Sequence, residues 1–171
     1  MTKQLTTINP ATEEVINTYD IATKEQIKEK TKKAHNAHLD WKKDIQKRAD
    51  HIHDFAQELI KNKEALARKI TQEMGKAIKE ARSEVEKCAW VMEYYADNGK
   101  IFVNEEVINT DARKSTVVFE PIGVIGSIMP WNFPYWQALR FAAPSLMVGN
   151  TMVLKPASAT MGCGLEIENA L

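Results

Sequence analysis

The chain has 171 residues in which 23 basic side chains balance 23 acidic ones, so its charge creates no pull toward nucleic acid or an anionic membrane surface. Two cysteines, Cys88 and Cys163, are too few and too far apart for a disulfide framework and fit a reducing, cytoplasmic setting. No apolar run reaches the roughly 18 residues of a membrane span, and Met1-Thr2-Lys3-Gln4 opens no apolar targeting segment.

Charge is spread unevenly: residues 1–100 carry 36 of the 46 charged side chains and residues 101–171 carry ten. The first part therefore reads as a solvated helical region and the second as core. Thr6 to Asp20 has the pattern of two short strands around Pro10-Ala11-Thr12-Glu13, a surface hairpin. Thr23-x-x-Gln26 is a capping box that opens a helix running to about His38. Ile45, Ala49, Ile52, Phe55, Ala56 and Leu59 share one face of a second helix. A third runs from Glu64 to Met74 and stops at Gly75, a residue suited to a left-handed cap. A fourth carries Ala77, Ala81, Val85, Cys88, Met92 and Tyr95 and is expected to end near Gly99. Ile101 to Ile108 and Lys114 to Glu120 read as strands.

Pro121 to Pro156 holds five of the six prolines and only two charged residues, Arg140 and Lys155. Such a run is expected to be largely buried. Gly123 to Met129 reads as a buried strand and Pro130 to Pro134 as a turn, with Pro134 suited to the first position of a helix. Tyr135 to Val148 is helical, with a bend expected near Pro144. Gly149-Asn150 closes it, and Thr151 to Leu154 is a second buried strand. Strand, helix and strand in this space make a βαβ unit with parallel strands. Asn132 follows the carboxyl end of the first strand and Lys155 that of the second, so both face the edge where ligands bind in open α/β sheets. Thr160 to Leu171 reads as a further helix. The fold class is α/β, a helical layer packed on an incomplete, Rossmann-like parallel sheet.

Met129-Pro130-Trp131-Asn132-Phe133-Pro134, Val148-Gly149-Asn150 and Val153-Leu154-Lys155-Pro156 resemble the NAD(P)-dependent aldehyde dehydrogenase superfamily. Asn9-Pro10-Ala11-Thr12 and Glu73-Met74-Gly75-Lys76 extend the match over nearly the whole chain. Trp131 through Gln137 together with Arg140 is most similar to the succinate-semialdehyde dehydrogenases. The resemblance implies an amino-terminal part of an NAD(P)-binding domain: 1–20 an outer arm, 21–99 helical, 100–121 strands and 122–171 the βαβ unit. It implies NAD or NADP as cofactor, a small aldehyde as substrate, and a homo-oligomer or pairing with the remainder of the enzyme.

In the resembled enzymes a cysteine thiolate attacks the aldehyde, and the matching Asn donates its side-chain N–H to the resulting oxyanion, which makes Asn132 the catalytic candidate. Such a donor is typically worth about 10²–10³ in rate. The cofactor is placed against Ile128, Met129, Pro130, Trp131, Asn132, Lys155, Pro156, Ala157 and Ser158. Lys155 matches a lysine that binds hydroxyls of the adenosine ribose. Ser158 stands where many NAD-preferring members carry Glu, and a serine there neither accepts from the ribose 2′-hydroxyl nor repels a 2′-phosphate. Phe133, Trp136 and Arg140 fall in the substrate pocket, and Arg140 matches, eight residues after the Asn, an Arg that grips a distal carboxylate. An internal salt bridge is the alternative for Arg140.

Cys163 follows Met161-Gly162 and not the Gly-Gln pair that precedes the family nucleophile, and Cys88 lies on an apolar helix face. Neither is expected to be catalytic. The family's nucleophilic Cys, its Glu-Leu-Gly-Gly base and its pyrophosphate turn do not occur in these residues. A non-catalytic interaction module, using the helical face and the strand near Val117 to pair with a full-length relative, is the alternative function. A reading frame that continues past Leu171 to the missing Cys would exclude it. His35, His38, His51 and His53 stand among charged helix residues and are expected at the surface, with no metal site.

Overall fold

The computed structural model describes residues 3–170; Met1, Thr2 and Leu171, counted above in the arm and the last helix, lie outside them. The chain opens with an antiparallel hairpin, β1 (Gln4–Ile8) against β2 (Val15–Asp20), with Gln4 opposite Asp20 and a register shift between Thr7 and Ile8. Its turn is stabilised by Asn9, whose side-chain oxygen accepts from the Ala11 amide at 3.0 Å, a local alternative to backbone pairing at which Asn excels. Thr7 is buried, so the hairpin rests on the body of the protein.

Four helices follow: α1 (Lys24–Trp41), α2 (Ile45–Lys61), α3 (Lys63–Met74) and α4 (Ile78–Phe102). Each begins or ends where local chemistry dictates. The Thr23 hydroxyl accepts from the Gln26 amide while the Gln26 side chain accepts from the Thr23 amide, completing the capping box. Asp44 caps α2 by accepting from the Gln46 and Lys47 amides. Gly75 ends α3 with φ +75°, a conformation that costs any side chain energy. The core is formed where α2, α3 and α4 meet, by Ile52, Phe55, Leu59, Ile70, Val85 and Met92, all nearly inaccessible.

Two expectations fail at the end of α4. The helix does not stop near Gly99, and no strand starts at Ile101: α4 continues through Phe102, and the strand is confined to β3 (Glu106–Ile108). Gly99 is not a cap. It lies inside the helix, and a Cβ there would collide with the Met147 side chain, so this glycine lets two helices approach and leaves the first in register. Tyr95 also packs edge-on against Phe102, with ring centroids 6.1 Å apart, which secures the last turn. The next strand is likewise short, β4 (Ser115–Val117), and pairs only with β3 in an antiparallel ribbon whose β3 residues are all exposed.

The βαβ unit is present as expected: β5 (Val124–Ile128), α5 (Pro134–Met147) and β6 (Thr151–Lys155), with β5 and β6 parallel from Val124 opposite Thr151 to Ile128 opposite Lys155. Asn150 joins the two strand starts, its side-chain oxygen accepting from the Gly123 amide at 3.0 Å. A 3-10 turn (Ser158–Thr160) leads into α6 (Met161–Ala170). The strands are less buried than their apolar composition implies, and Ile122 and Ile128 are 86% and 77% exposed. The reason is that this sheet has two strands only among the described residues, and parallel strands of continuous apolar sequence need neighbours on both sides to be covered.

The α5 helix is the apolar piece that is buried, through Tyr135, Ala138, Leu139, Ala142, Ala143 and Met147. It runs unbroken past Pro144, which lies in its last turn. Its carboxyl end is held by side chains from two other helices. Trp41 Nε1 donates to the Leu146 carbonyl at 2.9 Å, Arg48 Nε to the Met147 carbonyl at 2.9 Å, and His38 Nδ1 to the Gly149 carbonyl at 3.0 Å. Arg48 also donates through Nη1 to the Trp41 carbonyl at 2.9 Å. His38 is therefore buried and structural, against the surface placement expected for it. Its partner, the Gly149 carbonyl, lies just past the end of α5 where the chain turns toward β6, and a buried carbonyl there requires a donor.

Arg48→Met should therefore leave two buried carbonyls without a charged donor. A loss of about 2–4 kcal/mol in unfolding free energy is expected, measured by urea denaturation, whereas the exposed neighbour Lys47→Met should change it by less than about 0.5 kcal/mol.

Candidate functional site

Where β5 and β6 end, the Met129 amide donates to the Lys155 carbonyl at 3.1 Å, so the two chain exits leave the sheet side by side. From there one strand runs into the turn 130–133 and the other into Pro156, Ala157 and Ser158. The parallel register thus brings Ile128, Met129, Pro130, Trp131 and Asn132 to the same edge as Lys155 through Ser158. Asn132 is exposed and makes no hydrogen bond with the described residues. Its amide is free to donate outward.

The turn that carries Asn132 is anchored from beneath. Glu84, on α4 and 4% exposed, accepts from the Tyr135 amide at 3.0 Å and from the Trp136 amide at 3.1 Å. These are donors of the first turn of α5, whose own cap position, Phe133, contributes no side-chain bond. A carboxylate there also meets the positive end of the helix dipole. Glu84 is charge-paired with Lys76, itself nearly buried, and the Lys76 ammonium lies 3.7 Å from the centre of the Phe133 ring. The residue next to Asn132 is thus held by a cation–π contact and the residues after it by a carboxylate.

Sequence reasoning missed Glu84 and Lys76, although a signal was present. Glu84 falls on the same helical stripe as Ala81 and Cys88, and a carboxylate on a buried stripe needs a partner. Glu73 is the same device on α3. It is 3% exposed and accepts from the Gly162 and Cys163 amides, both at 2.9 Å, capping α6.

Lys155 and Ser158 are exposed, and Lys155 Nζ donates only to its neighbouring Pro156 carbonyl, at 3.1 Å. No carboxylate occurs between Lys155 and Thr160. This stretch offers an ammonium and a hydroxyl with no carboxylate between them. Phe133 and Trp136 bracket the start of α5, Phe133 exposed and Trp136 half-buried. Arg140 stands six residues into the helix, about 9 Å along its axis from Pro134. It is exposed, with no ion-pair partner among the described residues, so the salt-bridge alternative finds no support there.

Both thiols are fully buried. Burial, reinforced by the Glu84 carboxylate, pushes the Cys88 thiol well up, and burial reinforced by the Glu73 carboxylate does the same to Cys163. The start of α6 does not activate Cys163 as a thiolate, because Glu73 already occupies the amides that would stabilise one. Among the described residues no group of His, Cys, Asp and Glu could hold a metal ion, and no helix is long and apolar enough to cross a membrane.

The sequence model of the aldehyde dehydrogenase family matches residues 1–171. A probable succinate-semialdehyde dehydrogenase [NADP(+)] of Synechocystis is 38% identical over 164 residues, which are 95% of this chain and 36% of that protein. A succinate semialdehyde dehydrogenase [NAD(P)+] of Escherichia coli is 37% identical, over 91% of this chain and 34% of its own length. The crystal structure of succinic semialdehyde dehydrogenase from Streptococcus pyogenes in complex with NADP+ superimposes with a TM-score of 0.93 and 34% identity, covering 97% of this chain and 37% of that one. The chain therefore spans little more than a third of the length of these relatives, and its fold matches that part of them.

The thiol environments give a direct expectation. Cys88 and Cys163 should both resist a thiol reagent such as dithionitrobenzoate in the folded chain and react at once in denaturant. Since the unfolded thiols ionise near pH 8.5 and the folded ones only at higher pH, their contribution to stability is complete below that pH and declines as pH rises above it. Rapid native labelling at neutral pH would contradict the burial.

Proposed function

Since this chain belongs to the aldehyde dehydrogenase family, we propose that it provides the oxyanion donor, the cofactor-ribose contacts and the carboxylate grip of an NAD(P)-dependent oxidation of succinic semialdehyde. The observation that carries this reading is the parallel β5–β6 register, which sets Asn132 and Lys155 on one edge. In this reading residues 3–170 form part of the NAD(P)-binding domain.

The aldehyde's reactive carbonyl lies against Asn132. As a nucleophile adds to it, negative charge collects on the oxygen, and the Asn132 side-chain N–H donates to that oxygen. The donor is most useful where water is excluded and its position is set in advance. Glu84 and Lys76 supply that preorganisation by fixing the residues that follow it. The nicotinamide cofactor, when bound, accepts the hydride that leaves the aldehyde carbon. Lys155 donates to the hydroxyls of the adenosine ribose, and Ser158 donates to a 2′-phosphate or leaves room for a 2′-hydroxyl. Arg140 receives the distal carboxylate of the substrate through its planar, doubly donating guanidinium.

Two expectations test the reading in an active enzyme containing this chain. Arg140→Ala should lower kcat/KM for succinic semialdehyde at least tenfold more than for an uncharged aldehyde of similar length, because losing a charge-assisted pair costs roughly 1.5–3 kcal/mol. Equal losses on both substrates would assign Arg140 a structural part instead. The wild-type enzyme should turn over NADP as well as NAD, and Ser158→Glu should depress NADP use selectively through charge repulsion. Negligible NADP turnover with Ser158 in place would defeat the cofactor assignment.

A further inference from the structure

Lys87 is exposed on α4, and its ammonium sits 4.2 Å from the centre of the Trp136 ring. It has no ion-pair partner among the described residues, because the carboxylates beside it on α4 are already taken. Glu86 is bound by Lys63 at 2.9 Å, and Glu84 is engaged by Lys76 and by the two α5 amides. A cation–π contact at an exposed position is weak, so this cation remains available to an anion.

Trp136 is also the midpoint of the residues the proposed reaction uses. Asn132 precedes it by four residues, in the turn before α5, and Arg140 follows it by four, about one helical turn along α5. Lys87 thus reaches across from α4 to a ring that lies in sequence between Asn132 and Arg140. Arg140, one turn farther on, is likewise without an ion-pair partner among the described residues. One cation thus lies on the Trp136 ring and a second stands about one turn farther along the same helix.

We propose that Lys87 is a second cationic, specificity-determining residue of the substrate entrance, which leaves the Trp136 face to meet the carboxylate of an aldehyde that also engages Arg140. This rests on the reading of the substrate as a carboxylate-bearing aldehyde. Lys87 attracts and orients that carboxylate without touching the reacting carbonyl, so it acts on substrate capture and leaves the chemical step alone. Its side chain is exposed, and its effect is screened by salt more than that of a buried pair.

The test uses an active enzyme containing this chain, with Lys87→Met, which keeps the aliphatic stem, and Lys87→Arg, which restores the charge. Succinic semialdehyde and butanal are compared as substrates. Lys87→Met should lower kcat/KM for succinic semialdehyde about three- to fivefold, mainly through KM, with butanal unchanged. Lys87→Arg should recover the loss, and raising the salt concentration should shrink the difference between wild type and Lys87→Met. A wild-type preference for succinic semialdehyde that persists undiminished in Lys87→Met would overturn the assignment of Lys87 while leaving the substrate reading intact. Equal losses on both aldehydes would also overturn it, by showing a structural role. A wild-type enzyme with no preference between the two aldehydes would overturn both.

Discussion

The α5 helix is secured at both ends by groups that belong to other helices. Glu84 from α4 accepts from its first amides, and Trp41, His38 and Arg48 from α1 and α2 donate to carbonyls at its last turn and the residues after it. The signs are the ones a helix dipole favours, negative at the amino end and positive at the other. Burying a carboxylate and a guanidinium is costly unless each finds full hydrogen-bonding satisfaction, and here the helix ends provide it. The same contacts serve two needs, since the orphan groups of α5 are also buried and would otherwise be unmatched. The arrangement sets where α5 starts and stops, and hence where β5 delivers its turn and where β6 begins.

The functional edge inherits its geometry from this frame. Asn132 makes no hydrogen bond with the described residues, yet the residues beside it are constrained by a buried carboxylate, a buried ammonium and an aromatic ring. A donor that is free at its tip and fixed at its base is what stabilising a developing charge demands, because no reorganisation is needed when the charge appears. The edge formed by Lys155 and Ser158 is built differently. It is exposed, with no supporting ion pair among the described residues, so in the proposed reading selectivity there rests on which side chains occur and less on how firmly they are held.

Much of this was legible from the residues. The capping box at Thr23, the left-handed Gly75, the apolar stripe of α2 and the β5–α5–β6 unit all follow from local patterns that tertiary packing did not overrule. The strand expected at Ile101 was wrong because Gly99 reads locally as a helix end, whereas its task is to let α4 approach Met147. His38 was placed at the surface because its neighbours in sequence are charged, yet its partner, the Gly149 carbonyl, is 111 positions away. Glu73, Glu84 and Arg48 share this property. Each is a charge on an apolar stripe whose purpose becomes visible only when the distant helix end is present. The pattern shows that such a residue must have a partner, and it does not show which one.

The direction of those long contacts bears on how the chain is made. Every side chain described above as capping α5 or α6 precedes its helix in the sequence, with Glu84 51 and 52 positions ahead of its amides and Glu73 89 and 90 ahead of its own. During synthesis, at about 5–20 residues per second, the four amino-terminal helices emerge several seconds before α5. In that interval Glu84 has Lys76 but not its two α5 amides, Arg48 has the Trp41 carbonyl but not that of Met147, and the Gly149 carbonyl that His38 binds is not yet made. Full hydrogen-bonding satisfaction of these three side chains is therefore complete only once α5 and the residues that follow it have been made.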